Sequence, residues 1–229
     1  YAEQLNTPIH THLHETRDEI RINLESHGVR PIERMLQLGL LGPNLIAVHL
    51  VHLTEHEIKL VHQYGCHVVH CPSSNMKLAS GFAPIASLLG QGINVGLGTD
   101  GAASNNRLDM FEEMRQAALL AKAVSGKADA LPAHQALRMA TLNGANALGL
   151  GEITGSLAAG KAADITAVDF SDLNLAPCYD PVSHLIYTAS REQVSHVWVN
   201  GRMLLQDKEL TTLNKFELQY RTAFWQERI

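Results

Sequence analysis

Four apolar, β-favouring runs at residues 7–13, 45–50, 67–70 and 93–97 alternate with segments of helical periodicity. That rhythm leaves few folds other than an α/β arrangement of strands joined by crossover helices. Two of the runs also end in side chains of the ligand type. One reads Pro8-Ile9-His10-Thr11-His12-Leu13-His14-Glu15-Thr16 and the other Gly96-Leu97-Gly98-Thr99-Asp100-Gly101. An α/β barrel delivers its chemistry in this way, from strand C-termini to one face.

Local signals place the helices between the runs. Helices are expected at 15–28 and at 31–38, the second opened by Pro31 in the first turn and closed by Gly39. Thr54-Glu55-His56-Glu57 is a capping box whose helix stops at Gly65, and 106–124 and 131–148 read as two longer amphipathic helices. After Gly149 the texture changes. Short β-elements are expected at 155–157, 160–164 and 165–168, followed by a hairpin of 194–199 and 202–205 across Asn200-Gly201, a turn that matches strand twist. Residues 213–228 predict a last helix, with Phe216, Tyr220, Phe224 and Trp225 expected to pack against the body.

Composition narrows the function. The 229 residues are 45% hydrophobic and carry a net charge of -5, with no clustered Lys and Arg for a nucleic-acid phosphate backbone. No apolar stretch approaches the roughly 18–20 residues of a membrane span, and no basic-then-apolar signal opens the chain, so a cytoplasmic protein is expected. Cys66, Cys71 and Cys178 form no C-x-x-C pair and are expected to be buried thiols. Histidine is the unusual count, with 13 in the chain and ten before residue 71. Such a skew points to a metal or acid-base site. The opening Tyr1-Ala2-Glu3-Gln4 reads like a helix already under way, as in a fragment.

In an extended strand His10, His12 and His14 share a face, and at least one is expected to be a ligand while His10 and His14 individually read as packed or hydrogen-bonded. Glu15 stands where strand gives way to loop, free to swing over a site. His49 closes the second run and His70 the third; His52 and His56 are expected to be solvated. Asp100 follows a run whose glycines allow close backbone approach. A carboxylate there can hold a divalent cation and take a proton from the water that the cation acidifies.

Taken together, H-x-H-E-T, A-x-H-x-x-H-L, H-C-P-S-S-N-M-K-L-A-S-G-x-A-P and G-L-G-T-D-G-A-A-S-N-N resemble the amidohydrolase superfamily. Within it the chain is most similar to the 5-methylthioadenosine/S-adenosylhomocysteine deaminases and their chlorohydrolase-related cousins, from about Pro8 to Gly201. The resemblance implies that His12 is a metal ligand, that Glu15 contacts and protonates the purine ring, and that His49 orients the attacking hydroxide. It makes Asp100 a ligand of both metal and nucleophile, so that Glu15 and Asp100 bind substrate. It also implies one divalent metal per subunit, Zn²⁺ or Fe²⁺, and a small purine nucleoside as substrate in a homodimer or homotetramer.

The family opens its first barrel strand with an H-x-H pair, and here that spacing occurs only within 10–14. The 88 residues from His12 to Asp100 are too few for seven further strand-helix repeats of a barrel of about 250 residues. They fit four. The expected fold is therefore the C-terminal half of a (β/α)8 TIM-type barrel, strands five to eight, over 1–150. Part of a small composite β-sandwich over 151–210 and a helix over 211–229 complete it, and the N-terminal half would supply the remaining ligands. Guanine deaminase or a triazine-type chlorohydrolase is the alternative chemistry, and a non-catalytic barrel homologue acting as an assembly module is the alternative class.

Overall fold

The computed structural model describes residues 1–228. Strands β1 (Ile9–Leu13), β2 (Leu45–His49), β3 (His67–His70) and β4 (Val95–Leu97) pair in sequence order as one parallel sheet. All five residues of β2 are buried, as befits a strand with neighbours on both sides and covered faces. The register sets Leu13 opposite His49 and His70 opposite Leu97, so the C-terminal ends lie level.

Helix α1 (Ala2–Leu5) precedes the sheet; α2 (Arg17–His27) and α3 (Pro31–Gln37) cross from β1 to β2, and α4 (Glu55–Gln63) from β2 to β3. The third crossing holds α5 (Pro72–Lys77) and α6 (Ile85–Gly90). After β4 come α7 (Ala102–Asn105), α8 (Met110–Ser125), α9 (Ala133–Met139) and α10 (Leu142–Ala147). Local chemistry sets several boundaries. The Thr54 hydroxyl accepts the Glu57 N–H to open α4, and Gly28 turns left-handed at φ 73° to close α2. Leu13, Val68, Leu88, Val95, Ala117 and Met139 meet in one core between sheet and helices.

Two expected helices are cut by their surroundings. The one expected from 106 starts at Met110, because Asn106 and Leu108 are left-handed and Asp109 caps the N–H groups of Phe111 and Glu112. The one expected over 131–148 divides at Thr141, where ψ is -96°. No strand forms at 155–157 or 160–164, which contain Gly155 at φ 81° and Gly160 at φ 89°.

A second sheet is antiparallel, with β5 (Ile165–Val168), β6 (Val194–Val199), β7 (Arg202–Gln206) and β8 (Glu209–Leu210) in that order. Its β6–β7 turn places Asn200 at φ 50° and Gly201 at φ 75°, the left-handed pair that an Asn-Gly hairpin needs. Helix α11 (Pro181–Tyr187), between β5 and β6, sends the fully buried Ile186 into the main core. Arg115 on α8 donates to the carbonyls of Ile186 and Ala189, tying the two parts together. The last helix, α12 (Lys215–Gln226), does not pack as expected. Phe216 is 80% exposed, and Tyr220, Phe224 and Trp225 are exposed as well. Cys178 is also exposed, unlike Cys66 and Cys71. No described helix is long and apolar enough to cross a membrane.

Close approach explains Gly96 on β4: a Cβ there would meet the Gly144 backbone of α10 at 3.3 Å. Gly96→Val should therefore cost about 1–3 kcal/mol by overpacking. Gly90, the last residue of α6, has open space around its Cα, and Gly90→Ala should gain up to about 1 kcal/mol. Urea unfolding of both variants checks the pair; a neutral Gly96→Val would mean that α10 does not bear on the strand.

Candidate active site at the strand ends

At the level ends of the sheet the backbone turns sharply. His14 has φ 53°, His49 φ 74° and Asp100 φ 59°, left-handed values that cost a non-glycine residue on the order of 1 kcal/mol. Each turn carries the next side chain off the strand's face. For His14 this overturns the shared face expected of His10, His12 and His14. It is fully buried; its Nδ1–H donates to the His52 carbonyl at 3.1 Å and its Nε2 accepts the Ile32 N–H at 3.0 Å. Both ring nitrogens are used by the fold. Burial holds its pKa below the ordinary value, with Glu57 pulling the other way. His10 is exposed, not packed, and His52 is half-buried, with its Nε2 bonded to the Ser80 carbonyl.

His12 stays on the open face. Its Nε2 lies 4.0 Å from Asp100 Oδ1, and its ring meets that of His49 edge-on at 5.0 Å between centroids. One ligand-type atom from each of His12, His49 and Asp100 falls within 4.8 Å of the others. Two imidazoles and a carboxylate form a donor set suited to Zn²⁺ or Fe²⁺.

The partners of these groups decide which atoms are free. His49 Nδ1–H donates to Asn75 Oδ1 at 2.8 Å, which leaves a lone pair on Nε2. That Nε2 is buried without a partner among the described residues, as an atom awaiting a cation or a hydrogen-bond donor would be. Asp100 Oδ2 accepts from the hydroxyls of Ser74 and Ser104, both at 2.7 Å, so Oδ1 faces the cluster. Burial works against the Asp100 anion, but those hydroxyls, the Gly101 N–H and His49 together lower its pKa to about 2. The carboxylate is ionised at neutral pH.

Glu15 stands across from His49, with Oε2 3.7 Å from its Nε2. The Glu19 carboxylate accepts the N–H groups of both His14 and Glu15, at 2.9 and 2.7 Å, and the Ser80 hydroxyl donates to Glu15 at 3.4 Å. The fit of a donor set to a metal thus rests on His12, His49 and Asp100, with a fourth polar group at hand. Ser74, Asn75, Ser80 and Ser104 lie within the motif blocks that carry the family resemblance, but as residue types they do not mark themselves as supports, because Ser and Asn are ordinary turn and cap residues.

His70 does not join the cluster. It is 3% exposed, and burial, reinforced by His49, lowers its pKa to about 3. The folded value lies below the unfolded 6.5, so on acidification the unfolded chain binds the proton first. Stability present above pH 6.5 is then lost as pH falls toward 3, by up to about 1.4 kcal/mol per pH unit. Between pH 7 and 5, His70→Leu should lose less stability than wild type, by up to about 2 kcal/mol. Urea midpoints at both pH values test this, and parallel losses would show that His70 is not the sensitive group.

Residues 1–204 match the model of the amidohydrolase family. The 5-methylthioadenosine/S-adenosylhomocysteine deaminase of Teredinibacter turnerae is 49% identical over all of the chain and 52% of its own length. The 5'-deoxyadenosine deaminase of Methanothermobacter thermautotrophicus is 47% identical over 93% of the chain and 50% of its own. Among solved structures, an adenosine deaminase from Xanthomonas campestris with bound zinc superposes with a TM-score of 0.98 at 48% identity, covering 99% of this chain and 52% of that one. The zinc complex of atrazine chlorohydrolase from Arthrobacter aurescens superposes with a TM-score of 0.92 at 28% identity, over 97% of this chain and 49% of that one. The chain thus spans about half the length of the relatives it matches, and it belongs to the amidohydrolase family.

Proposed function

We propose that the chain is the C-terminal half of a zinc-dependent deaminase acting on adenine-type nucleosides such as 5-methylthioadenosine and S-adenosylhomocysteine. In this reading β1 to β4 are strands five to eight of a (β/α)8 barrel formed by residues 1–150. Residues 151–210 belong to a β-sandwich, and the segment after it carries the terminal helix α12. The preceding half supplies the rest of the barrel and the H-x-H pair of its first strand. The observation that carries the reading is the meeting of His12, His49 and Asp100 with Glu15 at one set of strand ends. Relatives named as deaminases at 47–49% identity favour this chemistry over that of the chlorohydrolase, which stands at 28%.

His12 Nε2 and Asp100 Oδ1 would hold the metal. Zinc, when bound, makes water acidic enough to act as a nucleophile near neutral pH. His49 Nε2, its lone pair fixed by Asn75, accepts a hydrogen bond from the attacking water and orients it toward C6 of the purine. As that C–O bond forms, Glu15 gives its proton to the ring nitrogen and Asp100 takes one from the water. Asp100 passes its proton to the amino group, the C6–N bond breaks, and ammonia leaves. The remaining hydroxyl proton returns to Glu15 as the 6-oxo group forms, so water is consumed and both carboxyl groups are restored.

The full-length protein, assayed with 5-methylthioadenosine, should release ammonia. Asp100→Asn keeps the shape and removes the acceptor, so kcat should fall about 10²- to 10⁴-fold with a far smaller change in KM. Glu15→Gln should behave similarly, and its loss should vary with the basicity of the substrate's ring nitrogen. Near-normal turnover by Asp100→Asn would remove it from the proton path. Turnover of a triazine, with none of a nucleoside, would move the protein to the chlorohydrolase reading. Residues 1–229 expressed alone should be inactive, and a stable active monomer would refute the assignment of ligands to a preceding half.

A further inference from the structure

Two βα loops hold the reacting groups in place, one after β3 that is coiled into α5 and one after β4 that ends in α7. The first carries Ser74, whose hydroxyl donates to Asp100, and Asn75, which accepts from His49. The second carries Asp100 itself and Ser104. Behind both loops stands Glu113, in the first turns of α8 and 1% exposed. Its Oε2 accepts the Ser73 N–H at 3.1 Å, and its Oε1 accepts the Asn105 amide at 2.7 Å. The same Asn105 amide nitrogen donates to the carbonyl of Thr99, again at 2.7 Å. One buried carboxylate is therefore bonded to the residue before Ser74 and, through Asn105, to the residue before Asp100.

A carboxylate is costly to bury and is kept where hydrogen bonds compensate it. Both partners of Glu113 are donors, so both of its oxygens must accept. A glutamine has one acceptor and one donor, and its NH₂ would face an N–H. The orientation of Asn105 is fixed too, since its Oδ1 accepts the Arg107 N–H while its Nδ2 serves Thr99 and Glu113. We propose that Glu113 is a positioning residue, a clamp that joins residues 73–75 of α5, after β3, to the segment 99–105, after β4, and so holds Asp100 and His49 in reacting order. The effect on turnover rests on the deaminase reading above; the clamp itself does not.

The test uses the full-length, zinc-loaded enzyme. Glu113→Gln should lower kcat for 5-methylthioadenosine about 10- to 100-fold, the usual effect of removing a group that holds a ligand, with KM little changed. Asn105→Ala should give a similar loss, and the double variant no further loss, because both act through one connection. Amide hydrogen exchange should quicken at 72–77 and at 99–106 in Glu113→Gln. Ile186→Val, a core change away from the loops, should lower stability and leave kcat intact. Should Glu113→Gln not fold, Asn105→Ala, which leaves α8 intact, carries the same comparison. Unchanged kcat in a folded variant, additive losses, or exchange that quickens in one loop alone would each overturn the clamp. A wild-type enzyme without deaminase activity would instead sink the functional reading, and unchanged exchange in Glu113→Gln would then be what refutes the clamp.

Discussion

Parallel pairing brings Leu13 level with His49, and His70 level with Leu97, and the existence of a common site depends on that register. A slip of one residue would turn every side chain of a strand to the opposite face, taking His12 away from Asp100. The register is well guarded. All of β2 is buried, so any slip would expose or crowd apolar residues along its whole length. At β4, Gly96 lets the α10 backbone approach so closely that a Cβ would meet it at 3.3 Å and force it to shift. Packing remote from the chemistry thus sets the distances within it.

The ends of the strands are held by polar networks as well as by the core. Arg30 donates to Glu57 at 2.7 Å and to the His52 carbonyl at 2.6 Å, and the same carbonyl accepts from His14. Burial alone would raise the pKa of Glu57, yet the Arg30 bonds and the Thr54 cap lower it. Such a network is a poor source of net stability, because desolvation consumes much of the attraction. Its effect is on geometry: it fixes the loops that leave β1 and β2, and with them the start of Glu15.

How much of this is legible in the sequence follows from how local each cause is. The four parallel strands, the capping box at Thr54 and the Asn-Gly hairpin rest on neighbouring residues, and they read correctly, whereas the β-elements expected at 155–157 and 160–164 do not form. The convergence of His12, His49 and Asp100 is readable because strand ends are where such groups collect. That His14 is packed and hydrogen-bonded is readable too, but its partners are not, since they depend on a left-handed turn and on the Ile32 N–H, 18 residues away. Nor is the break at Thr141, where tertiary packing overrides an apolar pattern that continues through it. The aromatic residues of α12 have the right spacing for burial, but burial depends on a facing surface, which periodicity does not report.

A division of labour runs through the site. Glu15, His49 and Asp100 each stand at or just beyond a strand end, and each makes at least one hydrogen bond with another crossing of the sheet. Asn75 and Ser74, both beyond β3, serve His49 of β2 and Asp100 beyond β4 respectively. Ser80, also beyond β3, reaches Glu15 beyond β1. No single strand-loop unit contains both a reacting side chain and its full set of supports. In such an arrangement the site is a property of the paired strands and not of any one segment of them, which is why its side chains are scattered over nearly a hundred residues of sequence.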